Sequence, residues 1–167
     1  MIRDQETLNA LLASVSRFVR ERLVPAESEV SDTDRIPDAI ISEMKQLGLF
    51  GLTIPESYGG LELTMEEEVL VMVEMGKTSP AFRSIFGTTV GIGSQGILMD
   101  GTPEQKAEYL PRLASGELIS SFALTEPDAG SDAASLRTMA IRDTDDRGDH
   151  YIVNGTKRYI TNAPQAG

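Results

Sequence analysis

Apolar residues at Leu8, Leu11, Leu12, Val15, Val19 and Leu23 recur at steps of three and four, which predicts a helix over about residues 4–22 with one buried stripe. Pro25 ends it, and the polar run 27–35 reads as a loop. Pro37 then opens a second helix that buries Ile40, Ile41, Met44 and Leu47, with Gly48 as its left-handed cap. Thr64 and Glu67 stand at capping-box spacing and open a third helix with Val69, Met72 and Val73 on one face. Ser79-Pro80 opens a fourth, in which Phe82, Ile85, Phe86 and Val90 are interleaved with Gly87, Gly91, Gly93 and Gly96. An interior helical glycine costs about 1 kcal/mol relative to alanine, so close packing must compensate. A buried helix whose small face touches another backbone or a ligand is expected. Thr102-Pro103-Glu104-Gln105 starts a short helix that Pro111 kinks or ends.

At Gly116-Glu117 the period changes from helical to extended. Residues 118–124, 138–142, 150–153 and 157–161 read as four strands. The polar stretch 145–149 joins the second to the third, and Asn154-Gly155 is a two-residue hairpin signal between the third and fourth. The expected class is α+β: an all-α domain over residues 1–117, followed over 118–167 by the start of an antiparallel β domain. Phe122, Ala123 and Leu124 form a short apolar run that reads as a buried strand delivering Thr125 to a ligand. Pro127 stops the strand, and Gly130, lacking a Cβ, lets neighbouring amides approach a phosphate or a flat ring, with Ser131 as an added donor.

The run Leu124-Thr125-Glu126-Pro127-Asp128-Ala129-Gly130-Ser131-Asp132 resembles the flavin-binding signature of the acyl-CoA dehydrogenases, and Tyr159-Ile160-Thr161-Asn162-Ala163 resembles their second flavin segment. The likeness extends upstream through Ile54-Pro55-Glu56-Ser57-Tyr58-Gly59-Gly60, Glu104-Gln105-Lys106 and Leu113-Ala114-Ser115-Gly116-Glu117, so it covers nearly the whole chain. It implies a fold of acyl-CoA dehydrogenase type, FAD as cofactor, and α,β-dehydrogenation of an acyl-CoA thioester in fatty acid or amino acid catabolism. By the same resemblance Phe122, Ala123, Leu124, Thr125, Gly130, Ser131, Tyr159, Ile160 and Thr161 contact the cofactor, with the Thr161 hydroxyl close to flavin N5 and Ser131 facing the pyrophosphate or the bound thioester. Tyr159 stands where many members carry tryptophan. The implied electron acceptor is an electron-transfer flavoprotein, and the complete enzyme is implied to be a homotetramer or dimer. The family's carboxylate base belongs to a C-terminal helical domain, so a chain ending at Gly167 is expected to be a fragment with no catalytic residue of its own. An acyl-CoA oxidase shares both segments. A non-catalytic binding module that kept the scaffold is the alternative from another class.

With 26 acidic against 15 basic residues the net charge is -11, which argues against nucleic acid or an anionic membrane as partner. A CoA thioester is itself polyanionic, and Arg137, Arg142, Lys157 and Arg158 are the nearest candidate cations in sequence, each more simply a solvated strand face. The absence of cysteine excludes a disulfide framework, a zinc-thiolate site and a thiol nucleophile. Arg3, Asp4 and Glu6 precede the first apolar cluster and no apolar run is long enough to span a bilayer, so a cytoplasmic protein without membrane insertion is expected. His150 reads as a surface residue.

Overall fold

A computed structural model of the chain describes residues 5–146 and 148–167. The expected helix start at residue 4, and residue 147 in the expected polar loop, lie outside the described residues. The chain divides into two compact units, one comprising residues up to Ser121 together with Asn162–Gly167, the other Phe122–Thr161.

The first unit is helical. Helix α1 (Gln5–Phe18) passes through a π-turn (Val19–Leu23) directly into α2 (Val24–Thr33), so Pro25 does not end the helix and 27–35 is not a loop. In the wide turn the Val24 N–H donates to the Val19 carbonyl five residues back. Pro25 therefore falls in the first turn of a fresh helical segment, where its missing N–H is not needed. The helix stops only at Asp34, whose φ of 53° is left-handed. Glu27, now on α2, accepts hydrogen bonds from Thr78 Oγ1 (2.7 Å) and the Ser79 N–H (2.8 Å) ahead of the next-but-two helix.

Helix α3 (Asp38–Gln46) buries Ile40 and Met44 and ends at Gly48 with φ 74°, as the sequence implies. Both halves of the Thr64/Glu67 capping box form at the start of α4 (Met65–Met75). Its buried side is Val71 and Met75, however, while Val69 and Val73 are more than half exposed. The expected face is off by half a turn because Val71 and Met75, four apart, are the pair that meets the core. Helix α5 (Pro80–Thr88) leads through a second π-turn (Thr89–Gly93) into α6 (Gln95–Asp100). Of the glycines there, Gly93 has the close approach expected: a Cβ on it would sit 1.8 Å from Ser120 Oγ. Gly91 and Gly96 face open space instead. Helix α7 (Pro103–Ala114) runs through Pro111 to Ala114 and closes on Gly116 with φ 71°.

The core of this unit gathers Phe18, Leu23, Met44, Phe50, Phe82 and Phe86 among other buried residues, with the Phe50 and Phe86 rings edge to face at 6.2 Å. A smaller cluster joins Ile54 to Leu110, Leu113 and Ala114 of α7. The connector between α3 and α4 is tied down by backbone bonds from Leu61 N–H to Gly51 O and Leu63 N–H to Leu52 O. Among the described residues no helix is long and apolar enough to cross a membrane.

The second unit holds one antiparallel hairpin, β1 (Met139–Asp145) with β2 (Gly148–Asn154), paired from Met139–Asn154 to Asp145–Gly148. The hairpin turn thus lies inside the stretch 145–149, and the strands extend further than expected on both sides of it. Gly148, at φ 92°, supplies the positive dihedral a tight hairpin needs, whereas the second hairpin expected at Asn154-Gly155 does not form, because no strand follows β2. Gly155 serves another end: a Cβ there would sit 2.1 Å from Thr138 Oγ1. Residues 118–124 and 157–161 are not strands. Tyr159 (φ 59°) and Asn162 (φ 64°) are left-handed, which breaks any extended run through the second stretch. Phe122 and Leu124 are exposed rather than buried, as expected where a two-stranded ribbon offers no second layer to cover them.

Candidate functional site

Within the second unit the glycine-centred turn closes on itself, the Glu126 N–H donating to the Ala129 carbonyl at 2.8 Å and the Ala129 N–H to the Glu126 carbonyl at 3.3 Å. Pro127 and Asp128 occupy its tip, and Ala129 is buried beneath. The second motif is brought alongside by the Arg158 N–H, which donates to the Thr125 carbonyl at 2.8 Å. Lys157 Nζ donates to the Leu124 carbonyl at 2.9 Å. Thr125 and the 157–161 stretch, more than thirty residues apart in sequence, are therefore neighbours.

Beneath them the buried carboxylate of Glu126 accepts from the Thr138 hydroxyl, the backbone N–H groups of Arg137 (2.7 Å) and Thr138 (2.9 Å), and Lys157 Nζ (3.0 Å). These bonds, the Thr138 hydroxyl foremost, hold its pKa down at about 2, against 4.5 for an ordinary glutamate. Such a carboxylate is a poor proton acceptor near neutrality. Among the described residues the other cations of the unit are engaged within it: Arg137 with Asp128 (3.2 Å), Arg142 with Asp149, and Arg158 stacked on the Tyr159 ring at 4.5 Å. His150 lies between Asp143 (3.9 Å) and Asp145 (3.7 Å) on the hairpin.

The sequence reads Lys157 as a solvated strand face and Glu126 as local turn structure, and the structure pairs the two. The signal for them was an acid and a base each flanked by turn residues next to a recognised motif, which alone does not distinguish a clamp from a solvated face.

The profile of the acyl-CoA dehydrogenase N-terminal domain matches residues 5–117, and that of the acyl-CoA dehydrogenase middle domain matches residues 121–167. The chain belongs to the acyl-CoA dehydrogenase family. It is 40% identical over 152 residues to an acyl-CoA dehydrogenase of Bacillus subtilis, covering 91% of this chain and 39% of that protein. To the mitochondrial isovaleryl-CoA dehydrogenase of Bos taurus it is 36% identical over 163 residues, 96% of this chain and 37% of the relative. A solved acyl-CoA dehydrogenase from Bacillus anthracis, complexed with FAD, superposes with a TM-score of 0.85 at 33% identity, covering 98% of this chain and 28% of that one. The chain thus spans less than two fifths of the length of these acyl-CoA dehydrogenases.

The residues present fit a flavin. Among the described residues the Thr125, Ser131 and Thr161 hydroxyls are engaged by no other group of the chain, whereas most neighbouring polar groups are. The Leu124 N–H is turned to the Phe122 carbonyl (3.2 Å), which leaves the Thr125 N–H as the backbone donor at that point of the chain. A Cβ on Gly130 would meet only Thr125 Cγ2, at 3.7 Å, so the chain's own packing does not require glycine there. Tyr159, with 77% of its surface exposed, presents its ring outward under Arg158. Phe122 and Ala123 are exposed and Ile160 half-buried. A cavity of about 480 Å³ opens in the helical unit beside Arg35, Ser84 and Asn162. It is lined by none of the residues assigned to the cofactor.

Proposed function

We propose that this chain supplies the helical domain and the first, flavin-holding part of the β domain of an FAD-dependent dehydrogenase acting on acyl-CoA thioesters. The observation that carries the reading is the Arg158 N–H to Thr125 carbonyl bond, because it makes one cradle out of the two motifs. When bound, FAD supplies the hydride acceptor for oxidation of the bond between the α and β carbons. The Thr125 N–H and hydroxyl and the Thr161 hydroxyl would hold the ring's polar edge with donors fixed in advance, and Phe122, Ala123, Leu124, Tyr159 and Ile160 would line it. Gly130 and Ser131 would receive a phosphate or the thioester. The α proton goes to a carboxylate outside this chain, since Glu126 is held ionised by its four bonds. Electrons then pass to an electron-transfer flavoprotein, and the complete enzyme is a cytoplasmic homotetramer or dimer.

The experiment is a titration of the isotopically labelled chain with FAD, followed by amide chemical shifts. Amides of residues 122–131 and 159–161 move together, with weak affinity. Shifts confined to other residues, or none at the highest soluble FAD, refute the cradle. Turnover of an acyl-CoA with a dye acceptor by this chain alone refutes the placement of the base elsewhere.

A further inference from the structure

Glu126 bonds three stretches of chain at once. Its own backbone closes the turn at Ala129, its Oε2 receives the Arg137 N–H, and its Oε1 receives the Thr138 N–H, the Thr138 hydroxyl and Lys157 Nζ. The Lys157 ammonium is shared between that oxygen and the Leu124 carbonyl, so the same ion pair that anchors the carboxylate also anchors the segment leading to Thr125. One residue further on, Arg158 completes the bond to the Thr125 carbonyl. Every donor around Glu126 points at it, and a neutral acid or amide would turn a proton of its own toward one of them. The site therefore asks for an ionised carboxylate of this length.

We infer that Glu126 is the positioning residue of the cofactor cradle, its carboxylate and Lys157 fixing the register between the 125–130 turn and the 157–161 stretch. The inference rests on the proposed function in taking those two stretches as a cradle. The clamp itself stands on the hydrogen bonds alone. Through it Glu126 sets where the Thr125 and Thr161 hydroxyls stand relative to each other while touching neither cofactor nor substrate.

The test compares the full chain with Glu126→Gln, Lys157→Met and the double variant, using amide hydrogen exchange and the FAD titration. In Glu126→Gln the Arg158 amide is expected to exchange roughly 10- to 100-fold faster, as loss of hydrogen bonds to a charged group implies, while amides of the β1–β2 ladder keep their protection. Lys157→Met produces a smaller acceleration at the same residues, and the double variant is no worse than Glu126→Gln because both act on one node. The affinity for FAD falls in parallel. Unchanged exchange at Arg158 in both single variants overturns the inference, as does acceleration spread equally over the hairpin, the mark of a merely stabilising residue. Undiminished FAD affinity with accelerated exchange at Arg158 overturns the positioning role but spares the cofactor reading. If the unaltered chain shows no FAD-dependent shifts while Arg158 responds to Glu126→Gln, the clamp is upheld and the cofactor reading falls.

Discussion

Two adjacent glycines in the connector between α3 and α4 separate two physical reasons for glycine. Gly59 has φ 83° and nothing within 4 Å of where its Cβ would be, so alanine there meets only the left-handed backbone cost, about 1–2 kcal/mol. Gly60 has an ordinary φ, but a Cβ on it would sit 1.9 Å from the Ile54 carbonyl oxygen and 2.5 Å from its carbon. Ordinary contact begins at 3.4 Å, and the obstacle is backbone with no rotamer to escape into. Making room parts the chain at the Glu62 N–H to Ile54 O bond (3.0 Å) and the Gly60 N–H to Pro55 O bond (3.1 Å). Two hydrogen bonds at about 1 kcal/mol each, added to an overpacking strain of about 1–3 kcal/mol, predict a loss of about 3–5 kcal/mol for Gly60→Ala. Urea unfolding of the helical unit, followed by far-ultraviolet circular dichroism, measures both variants on one scale. A loss for Gly60→Ala no larger than that for Gly59→Ala refutes the reasoning. Gly59→Asn, which tolerates the left-handed region, recovers part of the Gly59→Ala loss and leaves the Gly60 result untouched.

Phe86→Ala removes a fully buried ring packed against Phe50 and is expected to destabilise the helical unit by about 3–5 kcal/mol in the same urea experiment. Thr64→Ala opens the capping box of α4 and loses about 1 kcal/mol, as does Thr102→Ala at the matching box of α7. Because the folded pKa of Glu126, about 2, lies below its unfolded value near 4.5, its contribution to the second unit is present above the higher value and is lost as pH falls through the lower. Protection factors in residues 122–161, with the intrinsic pH dependence of exchange divided out, should fall as pH drops through that window in the unaltered chain, and Glu126→Gln should flatten the dependence.

What could be read from the residues is what local chemistry decides. The two capping boxes, Ser79-Pro80, and the left-handed Gly48 each carry their own geometry, and the structure has them where the letters put them. Pro25 misled because whether a proline ends a helix depends on whether the carbonyl it would clash with has somewhere to go. The π-turn at Val19–Leu23 gives that freedom ahead of Pro25. The buried side of α4 is decided by its neighbours, since valines lie on more than one side of that helix. In the second unit, pattern located the hairpin and its turn within 145–149, but it also put a turn at Asn154-Gly155, where no further strand follows. Asn154 is the last residue of β2, and Gly155 is taken up by its close approach to Thr138. The cofactor motifs were legible as words. The clamp beneath them was not, because it is assembled from residues up to thirty-one positions apart whose partners no local rule names.

The six residues from Asn162 to Gly167 belong with the helices, although forty residues of the other unit precede them. Asn162 Nδ2 donates to the Ser84 and Ile85 carbonyls at 3.1 and 3.2 Å, next to the point where α5 widens into its π-turn, and the Gly167 N–H donates to the Ile119 carbonyl at 3.3 Å. During synthesis on the ribosome the helical bundle therefore waits: it cannot satisfy those carbonyls until the hairpin and both motifs have already left the exit tunnel. The late arrival of one asparagine makes the β unit a closed loop of the nascent chain, an order of events in which both motifs are synthesised before the helical unit has its last residues.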